Sequence, residues 1–343
     1  MTIGTGIRSR PAKGDRTVEG HRSLAERRLA TQLQAAARTD LPVLIEGETG
    51  TGKGAVARRL HDLGPNAGEP FVVLRCASLP EEMIESELFG RARSASQPEH
   101  AGLLDSAGRG TVFLDEVGDL PASLQTRIVG MLECSEYVRI GESTPRRLEA
   151  RVVASTHRDL QAEARAGRFR SDFYFRIAAF PIRVPPLRER VEDLPAIAAR
   201  LAAEAQERLG HRSAGIAPEA VELLATGRWP GNLRQLEHAL VRAAALAPDG
   251  DPIGIEDLDP ELFAPEPEAE PAAIAAGSSN GADRGRSGAT APRKPLRSAR
   301  AEFEAAYIAE SLAEQRGNVS RTARLLGVSR VALHKKIVAY GLR

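Results

Sequence analysis

Seven small or charged residues form the run with the clearest chemical potential. This run, the phosphate loop, consists of Gly47, Glu48, Thr49, Gly50, Thr51, Gly52 and Lys53. It follows the apolar stretch 43–45 and precedes the helix-like sequence AVARRLHDL. Its glycines let backbone N–H groups close around phosphate oxygens, while Lys53 and the N-terminus of the following helix attract negative charge. The pattern predicts a loop that binds the β- and γ-phosphates of a nucleotide.

The residue after Lys53 is Gly54, although loops of this type usually carry there a Ser or Thr that ligates Mg²⁺. Two acids at the end of the hydrophobic run 111–114 offer other ligands. We assign Asp115 to Mg²⁺ and Glu116 to the catalytic base that activates water. Alone, such a pair more often forms a solvated turn. Its place about sixty residues after a phosphate loop favours the catalytic interpretation.

Five short apolar runs must position these side chains. They are VLIEG at 43–47, FVVLRC at 71–76, TVFLDEV at 111–117, ARVVAST at 150–156 and FPIRV at 180–184. Runs rich in β-branched residues and bounded by turn residues are typical of parallel strands buried on both faces. From Leu187 to Ala247 the pattern changes to helices rich in Ala, Leu, Arg and Glu. We predict an α/β fold with a parallel sheet and a helical lid, in which Trp229 is a core anchor.

Composition marks a boundary after the lid. Residues 264–300 are almost wholly Ala, Pro, Glu, Gly, Ser, Asp, Arg and Lys, which favours a flexible linker over an irregular surface loop. We divide the chain into a tail at 1–17, an α/β core at 18–184, a helical lid at 185–263, a linker at 264–300 and a small all-α domain at 301–343.

The whole-chain composition excludes several classes of protein. With 343 residues, 42% apolar and 27% charged, the chain suits two or three globular domains. It has no run of about twenty apolar residues and no apolar secretory segment, so we expect no membrane contact and a cytoplasmic location. Cys76 and Cys134 lack disulfide or zinc spacing, and we expect both to be buried and reduced.

The net charge of +1 conceals an uneven distribution. The segment from Glu256 to Glu270 has seven acids and no base, whereas Leu296 to Arg343 has nine Lys and Arg against four Glu. The last segment is therefore basic, as expected of a part that contacts nucleic acid.

Seven short sequence motifs indicate a resemblance to a known family over roughly positions 18–247 and 302–343. They are GETGTGK (47–53), ESELFG (85–90), TVFLDEV (111–117), LQTRIVGMLE (124–133), FRSDFYFRI (169–177), PPLRER (185–190) and WPGNLRQLEH (229–238). The chain resembles bacterial enhancer-binding proteins, the AAA+ family of sigma-54-dependent transcription activators with a Fis-type helix-turn-helix tail. The resemblance implies an AAA+ P-loop NTPase fold that uses ATP and Mg²⁺.

The resemblance also implies roles for side chains outside the phosphate loop. Thr156 and His157 match the sensor I position, which reads the γ-phosphate, and Arg234 matches sensor II in the lid. Arg170 and Arg176 match arginine fingers, which reach a neighbouring subunit and stabilise charge on the transferred phosphoryl group. Catalysis then requires a ring of subunits. In an arginine-rich chain, each finger candidate is alternatively a solvated surface charge, and His157 a satisfied polar residue at a strand end.

Two departures from the family pattern bear on function. After ELFG the family carries GAFTGA, which grips sigma-54, whereas this chain has RARSASQPEH in a loop about three residues shorter and without Phe. This difference favours a partner polymerase with another sigma factor over a sigma-54 activator with a divergent loop. The second departure is Arg75, where the family usually has an Asn that restrains the catalytic Glu. An arginine there can pair with Glu116 and restrain it or change its basicity.

The sequence of the basic tail predicts three helices. The first covers Ala301–Glu314, the second opens at Asn318 with Ala323, Leu325 and Leu326 inward, and the third runs Arg330–Tyr340. Candidate DNA contacts are Arg321, Arg324, Ser329, Arg330, His334, Lys335 and Lys336, with Ser329 also a cap of the third helix. A protein-interaction module of three helices is the alternative.

Together these features predict an ATP-dependent, sequence-specific DNA-binding regulator of transcription. We expect a dimer on an operator with dyad symmetry, a nucleotide-bound ring and RNA polymerase holoenzyme as partner. Because the phosphate loop starts at residue 47, we expect no receiver domain before it. The alternative is an AAA+ remodelling ATPase that acts on a protein, with the C-terminal helices as an adaptor module.

Overall fold

The computed structural model describes residues 23–93, 98–212, 214–263, 296–315, 317–328 and 330–342. The strands are β1 (Val43–Glu46), β2 (Phe71–Arg75), β3 (Thr111–Asp115), β4 (Glu136–Tyr137), β5 (Arg146–Arg147), β6 (Arg151–Thr156) and β7 (Phe180–Arg183). The first helices are α1 (Leu24–Ala37), α2 (Lys53–Asp62), α3 (Glu81–Phe89), α4 (Leu103–Ala107), α5 (Ala122–Cys134), α6 (Leu160–Arg165) and α7 (Ser171–Ile177). The later helices are α8 (Leu194–Leu209), α9 (Pro218–Leu224), α10 (Asn232–Leu246), α11 (Leu296–Glu314), α12 (Val319–Leu325) and α13 (Arg330–Ala339).

The five predicted strands form one parallel sheet in the order β2-β3-β6-β1-β7. The short antiparallel pair β4-β5 was not predicted, because two-residue strands leave no hydrophobic pattern. Strands β1, β3 and β6 end at the same edge of the sheet, with Glu46 opposite Thr156 and Arg75 opposite Asp115. That edge therefore collects the phosphate loop, the acidic pair and the sensor I residues.

Alternating side chains of the central strands feed two separate cores. Leu44 and Leu114 lie in one apolar cluster, whereas Val43, Ile45 and Phe113 lie in the other. Successive residues of a strand point to opposite faces, so a continuous apolar strand needs cover on both sides. This arrangement explains why the strands read as unbroken apolar runs, and it holds the acidic pair on a rigid element.

The chain divides into two compact units. One holds the chain up to Leu201 and the segment Trp229–Leu240, and the other holds Ala202–Arg228 and the chain from Val241. The start of α10 and residues 185–201 of the predicted lid thus belong to the unit that holds the sheet. Trp229 is 3% exposed, as expected of a core anchor.

The C-terminal helices have a small core of their own. Ile308, Ala323 and Leu333 are buried together, one from each helix. Two details of the prediction are wrong. Leu325 is 57% exposed rather than inward, and the first helix begins at Leu296, within the predicted linker. The rest of that linker, at 264–295, lies outside the described residues.

Two further findings concern expectations from composition. Within the described ranges, no helix combines the length and apolar character needed to cross a bilayer. Both cysteines are free, but only Cys76 is buried, so the expectation of burial is wrong for Cys134 at the end of α5.

Candidate functional site

The phosphate loop turns from β1 into the first residue of α2. Gly52 caps this helix with a left-handed φ of +95°, which a glycine adopts without steric cost. The Thr51 hydroxyl donates to the Glu48 carbonyl at 2.8 Å and closes the turn. Lys53 is 6% exposed, and its ammonium donates to the Gly47 carbonyl at 3.0 Å. The lysine is thus already directed into the loop that it serves.

Gly50 touches the start of α10. Its carbonyl accepts the N–H of Leu233 at 2.9 Å, which satisfies one of the unpaired donors at that helix end. A Cβ on Gly50 would lie 2.2 Å from the Gly231 carbonyl oxygen, and φ is +79°. Both the close approach and the backbone angle require glycine.

Gly50→Ala is therefore expected to destabilise the fold. Left-handed strain and displacement of the Gly231 carbonyl together should cost about 2–4 kcal/mol in free energy of unfolding. Gly54→Ala is the matched control, because its Cβ meets only Phe113 at 3.8 Å and alanine favours helix by up to about 1 kcal/mol. Urea unfolding measures the free energy of unfolding of both variants. Equal stability of the two would contradict the claim that position 50 requires glycine.

The acidic pair is held by Ser155 of β6, which the sequence interpretation missed. The fully buried Ser155 hydroxyl donates to Asp115 Oδ1 at 2.7 Å and accepts the Glu116 N–H at 3.1 Å. One side chain thus fixes the positions of the metal-ligand candidate and the base candidate. A lone serine inside an apolar strand was the only sequence signal for this role.

Glu116 lies at the centre of the site, in a backbone conformation that is rare for a non-glycine residue, with φ +62°. Its Oε1 is 2.9 Å from Lys53 Nζ. Its Oε2 is 2.9 Å from the backbone N of His157 and 2.7 Å from that residue's Nδ1. Burial alone would raise the pKa of Glu116, but the contacts from His157 and Lys53 outweigh it and lower that pKa. The base candidate is therefore ionised near neutral pH.

The remaining sensor I candidate is placed differently. Thr156 is fully buried, and its hydroxyl accepts the N–H of Arg158 at 3.0 Å. The structure also corrects one expectation. Arg75 is exposed, and among the described residues its guanidinium makes no ion pair with Glu116, which binds Lys53 and His157 instead.

The three predicted arginines are all exposed. Arg170 pairs with Asp172 through two contacts of 3.0 and 2.6 Å, and Arg176 donates to the Leu132 carbonyl at 2.8 Å. Neither contact involves the phosphate loop. Arg234 lies in the first turn of α10, next to Gly50.

Arg188 and Asn232 also reach the loop, and the sequence interpretation gave them no role. Arg188 donates to both Glu48 carboxylate oxygens, at 2.7 and 2.6 Å, and the Asn232 amide donates to one of them at 3.2 Å. The Arg188 and Asn232 contacts lower the pKa of Glu48 to about 2. The words PPLRER and WPGNLRQLEH contained both residues, but nothing in their spacing indicated this contact.

The loop fits a nucleotide because its lysine is buried, donates to a carbonyl of the loop and lies at the N-terminus of α2. Side-chain clusters alone do not define a metal site, since no group of three His, Cys, Asp or Glu in the described ranges is placed to hold an ion. Mg²⁺ typically uses one or two carboxylates and completes its shell with phosphate oxygens and water. Asp115 can supply one such ligand.

The predicted DNA contacts differ in their surroundings. Asn318 caps α12 by accepting the N–H of Arg321, and both Arg321 and Arg324 are exposed. Arg330 is exposed and His334 half-buried, with burial lowering the His334 pKa. Ser329 lies outside the described residues, and the side chain of Lys335 is not described either.

Lys336 makes an ion pair within the C-terminal helices. Its ammonium contacts Glu304 of α11, and the Tyr340 hydroxyl donates to the other oxygen of the same carboxylate at 2.8 Å.

Three families match successive parts of the chain. Residues 20–183 match "Sigma-54 interaction domain", residues 188–275 match "AAA+ ATPase lid domain", and residues 299–340 match "Bacterial regulatory protein, Fis family". The chain is 41% identical over 312 residues to the nitric oxide reductase transcription regulator NorR2 of Cupriavidus necator, covering 90% of this chain and 60% of that protein. It is 38% identical over 329 residues to the anaerobic nitric oxide reductase transcription regulator NorR of Aeromonas salmonicida, covering 94% and 63%.

This chain thus spans about 60% of the length of these curated relatives. Among solved structures, NtrX from Brucella abortus in complex with ADP is 30% identical with a TM-score of 0.67, covering 93% of this chain and 69% of that one. The complex of the same protein with ATP has a TM-score of 0.64 and covers 94% and 69%. The phosphate loop and the parallel sheet lie within the first of these matched ranges, and the chain belongs to the family of bacterial transcription regulators that combine a sigma-54 interaction domain, an AAA+ lid and a Fis-type helix-turn-helix.

Proposed function

We propose that this chain is an ATP-dependent, sequence-specific DNA-binding regulator of transcription. The observation that carries the proposal is the contact of Lys53 and His157 with Glu116, because it joins the phosphate loop, the base candidate and sensor I at one edge of the sheet. One similar solved protein, NtrX from Brucella abortus, was determined in complex with ADP and in complex with ATP, which supports nucleotide as the ligand.

Within the proposed site, Lys53 and the N-terminus of α2 bind the β- and γ-phosphates. Asp115, fixed by Ser155, holds Mg²⁺, which neutralises charge on the phosphates when bound. Glu116 accepts the proton of the attacking water. Lys53 is ion-paired with Glu116 in the structure. Phosphate must therefore replace Glu116 as the partner of Lys53 before Glu116 can orient water. Thr156 and His157 then respond to the γ-phosphate, and Arg234 does so from α10.

Hydrolysis in this proposal needs a second copy of the chain. Arg170 and Arg176 lie on an exposed surface and contact no residue of their own phosphate loop, among the residues that the structure describes. A guanidinium that stabilises the transferred phosphoryl group can be supplied in trans. We therefore propose a ring in which each nucleotide lies between neighbouring subunits.

The C-terminal helices bind DNA in this account, with α13 in the major groove and α12 across the phosphate backbone. A single helix-turn-helix reads a short half-site, so we propose a dimer on an operator with dyad symmetry. We place the protein in the cytoplasm, where bacterial DNA and RNA polymerase holoenzyme are found.

Arg324→Ala is expected to weaken DNA binding in a salt-dependent way. The exposed guanidinium is suited to a phosphate contact, and its loss should lower the slope of log K against log salt by about one. Lys336→Ala is the control and should change the slope less, because Glu304 already holds that ammonium. Fluorescence anisotropy of a duplex from the chain's own upstream region measures both slopes. A larger change for Lys336→Ala would contradict the placement.

The choice of polymerase is a separate question. The family match favours sigma-54, whereas the missing GAFTGA sequence favours another form of the enzyme. We propose the second, since RARSASQPEH presents charged and small residues instead of an aromatic tip. Transcription reconstituted with each holoenzyme separates the two, and strict dependence on sigma-54 would overturn this preference.

The proposed function as a whole is tested by binding of purified protein to ATP and to its own upstream DNA at moderate salt. Binding of both supports it, and binding of neither would end it. Robust ATP turnover with absent or salt-insensitive DNA binding would select a remodelling ATPase instead, because phosphate contacts impose a steep salt dependence.

A further inference from the structure

The fully buried Asn232 at the start of α10 has every polar atom of its side chain in use. Its Oδ1 accepts the Leu187 N–H at 2.8 Å, and its Nδ2 donates to Glu48 Oε2 at 3.2 Å and to the Thr49 carbonyl at 3.1 Å. Its φ of +50° lies in the left-handed region, which asparagine tolerates better than most residues. The residue thus joins the 187–190 turn, α10 and the phosphate loop.

Two arginines of the 187–190 turn complete the contact. Arg188 binds the Glu48 carboxylate through both oxygens, and the buried Arg190 donates to the Thr51 carbonyl at 2.9 Å. The Leu233 N–H also donates to the Gly50 carbonyl. Residues outside the loop thus make hydrogen bonds to four consecutive loop residues, 48–51. We call Arg188, Arg190 and Asn232 the loop clamp.

We propose that Asn232 is a positioning residue for nucleotide binding, acting with the rest of the loop clamp through Glu48 and Thr49. The inference rests on the proposed function, since it concerns the same site. A loop of glycines and threonines has little intrinsic shape, and ordering its backbone costs conformational entropy. A clamp that orders the loop beforehand removes part of that cost from binding, so it raises affinity without touching phosphate.

The same contact links two nucleotide-sensing elements. Asn232 lies two residues before Arg234, so any movement of α10 that repositions Arg234 also moves the amide that holds Thr49. The clamp should therefore affect nucleotide affinity, measured as Kd or KM, more than kcat.

Asn232→Asp tests the proposal with almost no change in shape. The substitution keeps the acceptor for Leu187, loses the donated contacts to Glu48, Thr49 and Pro230, and places a second carboxylate beside Glu48. Calorimetric titration with Mg²⁺ and ADP should show Kd raised about tenfold or more, since the loop loses a hydrogen bond to the charged Glu48 and another to the Thr49 carbonyl. Asn66→Asp is the matched control. It also loses an amide bond, to the Arg109 carbonyl at 2.7 Å, but near the start of β3.

A double variant separates positioning from a structural role. Glu48→Gln alone should weaken binding because it loses the charge held by Arg188. In the Asn232→Asp background the same change should improve binding, since it removes the repulsion and supplies an amide donor to Asp at 232. The Tm of all four proteins is measured alongside, because a purely structural defect would lower Tm and affinity together, whereas a loss of positioning changes Kd at constant Tm.

The outcomes are distinct. If the wild type binds no ADP, both the proposed function and the inference about Asn232 are wrong. If the wild type binds and Asn232→Asp binds within about twofold of it, the inference alone is wrong. A lowered Tm with unchanged Kd, or additive effects of the two substitutions, would also overturn it.

Discussion

Lys53→Ala is expected to abolish nucleotide binding, with affinity for ATP reduced about a hundredfold or more. The ammonium is buried and donates to a carbonyl inside the phosphate loop, and bonds to charged groups are worth about 1.5–3 kcal/mol each. Backbone N–H groups and the α2 terminus would remain, but without a compensating charge for the phosphates. Calorimetry with ATP in the presence of Mg²⁺ measures the loss.

The fold should survive this change. Glu116 loses its contact with Lys53 but keeps two contacts with His157, so it is not left buried without a partner. Lys336→Ala is the matched control, because it removes another lysine that is ion-paired with a glutamate, outside the nucleotide site. It should bind ATP normally. Full ATP affinity in folded Lys53→Ala protein would refute the assignment of the loop.

Arg176→Ala is expected to leave ATP binding unchanged and to lower the hydrolysis rate about a thousandfold, within the range measured for arginine fingers. The side chain is exposed and hydrogen-bonded only to the Leu132 carbonyl within the described contacts, so its removal should disturb the subunit little. Arg170 is a weaker candidate, because its guanidinium must first leave Asp172. Steady-state ATPase assays and calorimetry together separate the two effects.

Mixing two inactive variants tests action in trans. Arg176→Ala subunits keep an intact phosphate loop, and Lys53→Ala subunits keep an intact Arg176. Where Arg176 of a Lys53→Ala subunit faces the phosphate loop of an Arg176→Ala subunit in a ring, one complete site forms. The mixture should hydrolyse ATP faster than either variant alone. Full activity of Arg176→Ala by itself would show that this arginine is a surface charge.

The sheet and the phosphate loop were predictable because their signals are local. Each strand is a short apolar run that must be covered on both faces, and the loop needs its glycines at fixed spacing. The edge shared by Lys53, Asp115 and Thr156 then follows from parallel topology, since the carboxyl ends of the strands lie side by side. Local pattern therefore predicted which elements carry the candidate site.

The contacts between side chains were not predictable in the same way. Asn232 and Glu48 are separated by 184 positions, and Ser155 and Asp115 by 40, so no periodicity connects them. The expected pairing of Arg75 with Glu116 failed because β2 lies at the edge of the sheet and its last side chain is exposed, whereas Lys53 lies next to Glu116. Leu325 was assigned inward from its apolar character, but Ala323 and Leu333 fill that small core.

The rate of ATP hydrolysis, measured with and without the chain's own upstream DNA, tests most directly whether one protein couples the nucleotide site to the helix-turn-helix. We expect the hydrolysis rate per subunit to rise with protein concentration, because a ring must assemble. It should rise further when DNA binds several subunits close together. The increase should disappear in Arg176→Ala. A rate that is the same with upstream DNA, with unrelated DNA and with none would contradict the coupling of ATP hydrolysis to DNA binding.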